Sequence, residues 1–279
     1  MSGVALAAAL ALSLPAPLVA QASGDSTRRI ASDGVLFRRR DAAMLGAFAL
    51  GATVAYHNDR GVARAAQRRE VQDNRTLRNT AEVFRYTGQP GVLLGGLSAY
   101  AIGRVAHRPV LATAGLRVTE AIVVTGALTT LGKYVAGRAR PFVSEGRDPS
   151  DFQWWHGHRE GYTAMPSGHT SAAFAAASAL SAEWRATAPG SARVAVPLLY
   201  TGATLVGLSR IYHDKHWASD VVAGAALGTL TGGVVARWGR AHPRNRLERW
   251  LLPVRVAPGA EGGVQFGLSL NPSRGAPPS

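Results

Sequence analysis

The stretch Ser209–Asp220, SRIYHDKHWASD, holds more side chains suited to acid–base or nucleophilic chemistry than any other part of the chain. An apolar, small-residue segment follows it directly, so these charges lie at the mouth of a helix predicted to begin near Trp217. His216 would precede that helix and Asp220 would lie in its first turn. At this spacing the carboxylate could accept the imidazole Nδ1–H and leave Nε2 free as a nucleophile. An exposed polar loop in front of a core helix has the same spacing, so the pair alone does not establish a site.

Two further charged clusters lie at the ends of apolar segments. In KYVAGRARP, Lys133 and Arg140 close a predicted helix. In PSGH, Ser167 resembles an N-cap and Gly168 allows the backbone to approach a ligand closely. The first N–H groups and the helix dipole would then face a bound anion. With Arg210 added, three cations and several N–H donors surround one position, which suits a tetrahedral oxyanion such as phosphate.

The order of the clusters is more specific than any one of them. It reads Lys-x6-Arg-Pro, then Pro-Ser-Gly-His, then Ser-Arg-x5-His-x3-Asp. In this order the chain resembles the type 2 phosphatidic acid phosphatase superfamily, which also contains bacterial non-specific acid phosphatases and vanadium haloperoxidases. The resemblance covers residues 133–220 directly and the helical layout of residues 41–238 loosely. The lipid phosphatase-like branch fits the apolar helices best, and no motif position departs from the family pattern.

The resemblance implies a role for each matching residue. His216 would attack phosphorus and form a phosphohistidine, with Asp220 orienting the imidazole. His169 would protonate the leaving alkoxide and then activate water. The resemblance also implies that no metal and no other cofactor is needed, because the cations supply the electrostatic stabilisation. The phosphate-binding residues would be Lys133, Arg140, Ser167, Gly168 and Arg210.

Six apolar segments are predicted as the helices that position these clusters. An Arg-rich stretch at 57–89 between the first two has the apolar spacing of an amphipathic helix. The predicted fold class is all-α, a six-helix membrane-type bundle of the phosphatidic acid phosphatase/haloperoxidase type. A soluble bundle is the alternative, because a membrane span needs about 20 apolar residues; abundant Gly and Ala and the Arg residues at segment ends favour the membrane. The segments are 41–56, 90–107, 115–136, 168–184, 194–212 and 217–238.

The remaining sequence defines the domain organisation. Residues 1–22 are apolar and end in Ala-Gln-Ala, which predicts a secretory signal peptide, with an uncleaved anchor as the alternative. A polar segment follows at 23–40, the helical phosphatase domain covers 41–249, and a tail covers 250–279. Alternating apolar and polar residues predict a small β-hairpin in the tail, followed by a disordered end. A cleaved signal is compatible with an extracytoplasmic site only if the segment 41–56 does not cross the membrane.

Composition narrows the function further. The 279 residues include no cysteine, which excludes disulfides and thiol chemistry, and the net charge is +14. Because Arg residues flank apolar runs and no basic–aromatic stripe occurs, the charge indicates anionic lipid or a phosphate substrate rather than nucleic acid.

The expected function is hydrolysis of phosphate monoesters or pyrophosphates, of phosphatidate-like lipids or an isoprenyl pyrophosphate. The expected location is a bacterial-type cell membrane with an extracytoplasmic site, or a periplasmic or secreted form. The alternatives are a secreted soluble acid phosphatase, a vanadate-dependent haloperoxidase and a membrane protein that binds an anion without turnover. The sequence does not indicate the oligomeric state.

Overall fold

The computed structural model describes residues 37–144, 148–157, 159–242, 254–258 and 264–268. The predicted signal peptide at 1–22 and most of the polar segment lie outside this part of the chain. The described residues form a mainly helical bundle, as the sequence predicted. Its α-helices are α1 (Arg39–Ala66), α2 (Arg69–Gln72), α3 (Arg75–Tyr86), α4 (Val92–Val105), α5 (Pro109–Ala136), α6 (Gly168–Thr187), α7 (Pro189–Tyr212) and α8 (Ala218–Ala241).

The helix count is eight rather than six within the described ranges. Six of the eight coincide with the predicted apolar segments, although α1 continues well past its predicted end at residue 56. The other two, α2 and α3, occupy the Arg-rich stretch predicted as an amphipathic helix. A bend at Thr87–Gly91 separates α3 from α4, because Gly88 leaves the helical conformation (φ −62°, ψ −133°) and Pro90 lacks a backbone N–H.

Helix α6 is the central element of the bundle. All residues from Thr170 to Ala179 are buried, and the helix packs against α5, α7 and α8. One side of α6 meets Val118 and Ile122 of α5, and another meets Ala203 and Val206 of α7. Its many alanines allow the neighbouring backbones to come close, which is the usual packing of helices in lipid.

Glycines on α8 bring this helix into direct contact with α6. A Cβ atom at Gly224, Gly228 or Gly232 would lie 2.7, 2.2 or 2.4 Å from a backbone oxygen of α6 or its N-cap, closer than real Cβ atoms come. The glycines recur every fourth residue and therefore share one face of the helix. The contact is parallel, so the start of α8, beside His216, lies next to the start of α6, beside Ser167.

Within the described part of the chain, three helices, α5, α7 and α8, are long and apolar enough to cross a membrane. Helix α1 lies antiparallel along α8. At one end Arg237 Nη2 lies 2.6 Å from Asp41 Oδ2, and at the other Ser219 N donates to Asp59 Oδ1 at 2.9 Å. Helix α1 is not among these three helices, but it extends along most of α8, so the two helices would lie at the same depth in a membrane. That the segment 41–56 stays out of the membrane remains a prediction.

Two short strands follow the bundle. Strands β1 (Val254–Pro258) and β2 (Val264–Leu268) pair antiparallel, with Val254 opposite Leu268 and Val256 opposite Phe266. They coincide with the alternating residues of the tail. The residues between the strands and the predicted disordered end lie outside the described part of the chain.

Candidate active site

The three sequence clusters meet at one end of the bundle. The C-terminal ends of α5 and α7 and the N-terminal ends of α6 and α8 are all found there, as their order along the chain requires. Electrostatic interactions link His169 with Arg210, His216, Lys133 and Arg140. Residues that are up to 83 positions apart in the sequence therefore form one site.

His216 is held in the orientation and the tautomer that nucleophilic attack requires. Its side chain is 3% exposed, and Nδ1 lies 2.7 Å from the backbone oxygen of Ala164. A carbonyl oxygen only accepts hydrogen bonds, so the hydrogen is assigned to Nδ1 and the lone pair to Nε2. Burial lowers the pKa of His216 from 6.5 to about 4. The imidazole is therefore neutral at pH 7, and Nε2 is free to attack.

Asp220 does not accept the Nδ1–H of His216, which corrects the sequence prediction. Its Oδ2 lies 3.8 Å from that nitrogen, beyond hydrogen-bonding distance. Oδ2 accepts from the backbone N–H of Trp217 at 2.8 Å, and Oδ1 accepts from Arg138 Nη1 at 2.6 Å. The Ala164 carbonyl thus orients the imidazole, whereas the buried carboxylate supplies negative charge close to it.

The three predicted phosphate-binding cations carry little compensating negative charge. Lys133 Nζ donates to the backbone oxygen of Thr163. Arg140 donates from Nε and Nη2 to the hydroxyl of the same threonine at 3.2 and 2.9 Å. Arg210 is 7% exposed, and its Nε has no hydrogen-bond partner among the described residues. Because Thr163 is neutral, it does not cancel the positive charges of Lys133 and Arg140. These two side chains and Arg210 can therefore hold an anion.

Ser167 is the N-cap residue of α6, as predicted, but its side chain makes no capping hydrogen bond to the helix. Its Oγ accepts from Thr170 Oγ1 at 2.9 Å, and its backbone N–H donates to the Asp220 carbonyl at 3.0 Å. The N–H groups of Gly168 and His169, in the first turn, have no acceptor within the helix. A cavity of about 70 Å³ opens beside this turn, lined by Gly126, Thr129, Thr130, Lys133, Gly168 and Ala172.

His169 packs against the bend between α3 and α4. A Cβ atom at Gly88 would lie 2.6 Å from His169 Cδ2 and 3.3 Å from Val206 Cγ1. A side chain at this position would displace the imidazole, so the bend forms the wall of the site beside the predicted general acid. Sequence reasoning missed Gly88, although a glycine two residues before Pro90 was an available sign of a bend.

Sequence reasoning also left Arg138 without a role and missed Asp59. Arg138 is 1% exposed and lies between two carboxylates, Asp59 of α1 at 2.8 Å and Asp220 at 2.6 Å. Gly137 directs the chain towards this position, because it ends α5 in the left-handed conformation (φ 51°). A Cβ atom there would also lie 1.9 Å from the Gln153 backbone oxygen. No local pattern marks Asp59, which lies 79 residues from its arginine partner.

Comparison with known proteins connects this geometry to a family. Residues 114–244 match the model of the PAP2 superfamily. Lipid A 1-phosphatase of Porphyromonas gingivalis is 35% identical over 111 residues, which are 40% of this chain and 20% of that protein. Lipid phosphate phosphatase 1 of Arabidopsis thaliana is 32% identical over 172 residues, which are 54% of this chain and 52% of that protein. The chain thus spans a fifth and about half of these relatives' lengths.

A solved structure has the same fold. It is described as the first transmembrane PAP2 type phosphatidylglycerolphosphate phosphatase from Bacillus subtilis, with a TM-score of 0.52 and 18% identity. The match covers 75% of this chain and 99% of that chain. This fold and the three membrane-capable helices support a membrane location. The three motif clusters all lie within residues 114–244, the part of the chain that matches the model of the PAP2 superfamily.

Proposed function

We propose that this protein is a lipid phosphate phosphatase that works through a phosphohistidine. The observation that carries the proposal is the buried His216, with a free Nε2, in a site that also contains Lys133, Arg140 and Arg210. A neutral imidazole is a nucleophile for phosphorus, and the cations bind and neutralise the phosphate oxygens. An anion-binding protein without turnover has no need for a nucleophile held in one tautomer.

In the first step, Nε2 of His216 forms a bond to phosphorus as the bond from phosphorus to the leaving oxygen breaks. Burial and the nearby cations lower the pKa of His169 to about 3 in the site without phosphate, so its proton has to arrive with the bound phosphate monoester. His169 then gives this proton to the leaving oxygen, so the alcohol leaves neutral. The imidazole keeps its Nδ1–H, donated to Ala164, and becomes positively charged. The Asp220 carboxylate, 3.8 Å from this nitrogen, stabilises that charge.

In the second step, water attacks phosphorus and the bond to His216 breaks. His169, now neutral, takes the proton of the attacking water, and the imidazole of His216 returns to its neutral form. Throughout both steps, Lys133, Arg140 and Arg210 hold the phosphate oxygens, with the Ser167 hydroxyl and the Gly168 N–H as further donors.

The surroundings of the site favour a lipid substrate. Large aromatic side chains are exposed at this end of the bundle, a position that such side chains take at the membrane–water interface. The site would then open at the level of lipid headgroups. The names of both relatives include a lipid or lipid phosphate substrate, and phosphatidate-like lipids and isoprenyl pyrophosphates are the candidates here. The exposed aromatic residues are Tyr134, Phe142, Trp154 and Trp155.

Phosphate release by the detergent-extracted protein tests this function. In EDTA, we expect turnover of a lipid phosphate or isoprenyl pyrophosphate, preferred over a soluble ester and inhibited by vanadate. A preference for the soluble ester would favour a non-specific acid phosphatase. Bromide oxidation by peroxide with added vanadate would favour a haloperoxidase. Phosphate binding without any turnover would contradict the enzymatic proposal.

We further propose that the site faces the extracytoplasmic side. We take α1 to cross the membrane together with α8, along which it packs, and this orientation then requires Arg38 to be cytoplasmic. Arg38–Arg40 at the start of α1 and Arg237 and Arg240 near the end of α8 lie at the end of the bundle away from the site, and by the positive-inside tendency they support a cytoplasmic position for that end. Arg60, Arg64, Arg68 and Arg69, at the other end of α1, act in the opposite direction. A signal peptide cleaved after residue 22 would give the opposite orientation. The predicted cleaved signal peptide and the predicted extracytoplasmic site are therefore alternatives to each other.

Cysteine labelling distinguishes the two orientations, because the chain has no native cysteine. Glu160→Cys places a thiol on the exposed loop at the site end, and Gly190→Cys places one at the opposite end, where a Cβ meets nothing within 4 Å. In right-side-out vesicles, a membrane-impermeant maleimide should label Glu160→Cys, and should label Gly190→Cys only after permeabilisation. The reverse pattern would place the site in the cytoplasm.

A further inference from the structure

The geometry points to Asp59 and Arg138 as positioning residues that set the charge and the orientation of Asp220 beside the nucleophile His216. This inference rests on the proposed phosphatase function. Arg138 occupies one of the unspecified positions between Lys133 and Arg140 in the first cluster, and Asp59 lies outside the range 114–244 that matches the PAP2 superfamily.

Arg138 is fixed in position by hydrogen bonds at every nitrogen of its guanidinium. Nη1 donates to Asp220 Oδ1 at 2.6 Å and to Ser219 Oγ at 2.7 Å. Nη2 donates to Asp59 Oδ2 at 2.8 Å, and Nε and Nη2 donate to the Pro149 carbonyl at 2.9 and 2.7 Å. Three rings surround the guanidinium, with centroids 5.0 to 5.5 Å from its carbon: Tyr56, Phe152 and Trp217.

Asp59 connects this arginine to the start of α8. Its Oδ1 accepts from the Ser219 backbone N–H at 2.9 Å, and its Oδ2 accepts from the Ser219 hydroxyl at 2.5 Å. Asp59 and Asp220 are both 0% exposed, so water does not screen their charges. The carboxylate of α1 and the helix end that carries Asp220 are therefore parts of one buried polar network.

The charges of this network explain why a second carboxylate is needed. Arg138 and Asp220 alone would sum to zero, and little field would be left for His216. With Asp59 the two carboxylates and one guanidinium sum to one negative charge. That charge faces the imidazole, which becomes positive when phosphorus bonds to Nε2. Arg138 occupies Oδ1 of Asp220, so Oδ2 is the oxygen turned towards His216.

Asp59→Asn tests the charge balance. The network would then be neutral, and we expect kcat to fall about tenfold with KM little changed, because the lost interaction acts on a charge formed during reaction. The double variant Asp59→Asn/Arg138→Gln restores one negative charge on Asp220. We expect the kcat of the double variant to exceed that of Asp59→Asn. We also expect it to exceed that of Arg138→Gln, because Arg138→Gln leaves two buried carboxylates uncompensated.

A matched control exists on the same helix pair. Asp41→Asn also removes a buried ion pair between α1 and α8, that with Arg237 at 2.6 Å, at the end of the bundle away from the site. We expect this variant to lower the midpoint of thermal unfolding and to leave kcat unchanged. A fall in kcat equal to that of Asp59→Asn would show a general effect of the helix contact and overturn the inference.

The double variant decides the inference even where a single variant does not fold. The inference is supported if the double variant folds and has a higher kcat than either single variant. It is also supported if a single variant is not recovered as folded protein while the double variant folds and is active. A double variant that is no better than both single variants, or that does not fold, overturns it. Unchanged kcat with a raised KM in Asp59→Asn also overturns it. Absence of turnover in the wild type would instead contradict the proposed function.

Discussion

Replacement of His216 by alanine is expected to abolish turnover and to leave the bundle folded. In His216 the Ala164 carbonyl holds the hydrogen on Nδ1 and leaves the lone pair on Nε2. No other described side chain is held by the Ala164 carbonyl in this way, so none can replace His216 as the nucleophile. Loss of a nucleophile of this kind lowers kcat by roughly 10⁴-fold or more. The cost to folding is smaller, because the variant loses one hydrogen bond to a backbone carbonyl, worth about 1 kcal/mol, and some packing.

Rapid quenching with a radiolabelled phosphate ester measures this prediction directly. The wild type should give an acid-labile, alkali-stable phosphoprotein, as expected for phosphohistidine, and His216→Ala should give none. His57→Ala is a suitable control, since this exposed histidine on α1 contacts Tyr56 and not the site; it should retain wild-type turnover. Wild-type rates in His216→Ala would refute the assignment of the nucleophile.

The second large effect is expected for His169→Asn, and it should depend on the leaving group. An alkyl or lipid alkoxide needs a proton as it leaves, so its release should slow by about 10²- to 10⁴-fold. The 4-nitrophenolate anion is stable without a proton, and its release should slow far less. Water activation in the second step also uses His169, so phosphohistidine should accumulate in this variant.

The burst of 4-nitrophenol compared with steady-state phosphate release separates the two steps of the reaction. We expect a burst close to one equivalent in His169→Asn, followed by slow turnover. Gly88→Ala provides a matched variant, because its Cβ would displace the His169 ring without removing it; it should show the same pattern in weaker form. Equal losses for both esters and no burst would contradict the role of His169 as acid and base.

The sequence located the candidate site residues, whose roles stay predictions, but not their contacts. Lys133, His169 and His216 were singled out because their motifs lie at the ends of apolar segments, and the helix period and turn residues mark such ends locally. The acceptors were not found. Ala164 and Thr163 act through a backbone carbonyl or a single hydroxyl, and only the folded chain shows which carbonyl faces which side chain.

The end of α1 and the role of Asp59 escaped for a related reason. A charged residue following an apolar segment usually marks the end of a membrane span, so the segment appeared to stop at residue 56. In the folded chain Asp59 is buried, and Arg138 and Ser219 satisfy its carboxylate. These partners lie 79 and 160 residues away in the sequence, a distance over which neither composition nor periodicity carries information.

The parallel contact between α6 and α8 has a consequence for the evolution of substrate range. Gly228 and Gly232 join the two helices backbone to backbone, and the helix starts that carry His169 and His216 have little freedom to move apart. New specificity therefore has to arise on the other walls of the site, at the bend around Gly88 and in the loop 148–157. Grafting these two segments from a relative should change the preferred lipid and leave the phosphate chemistry intact.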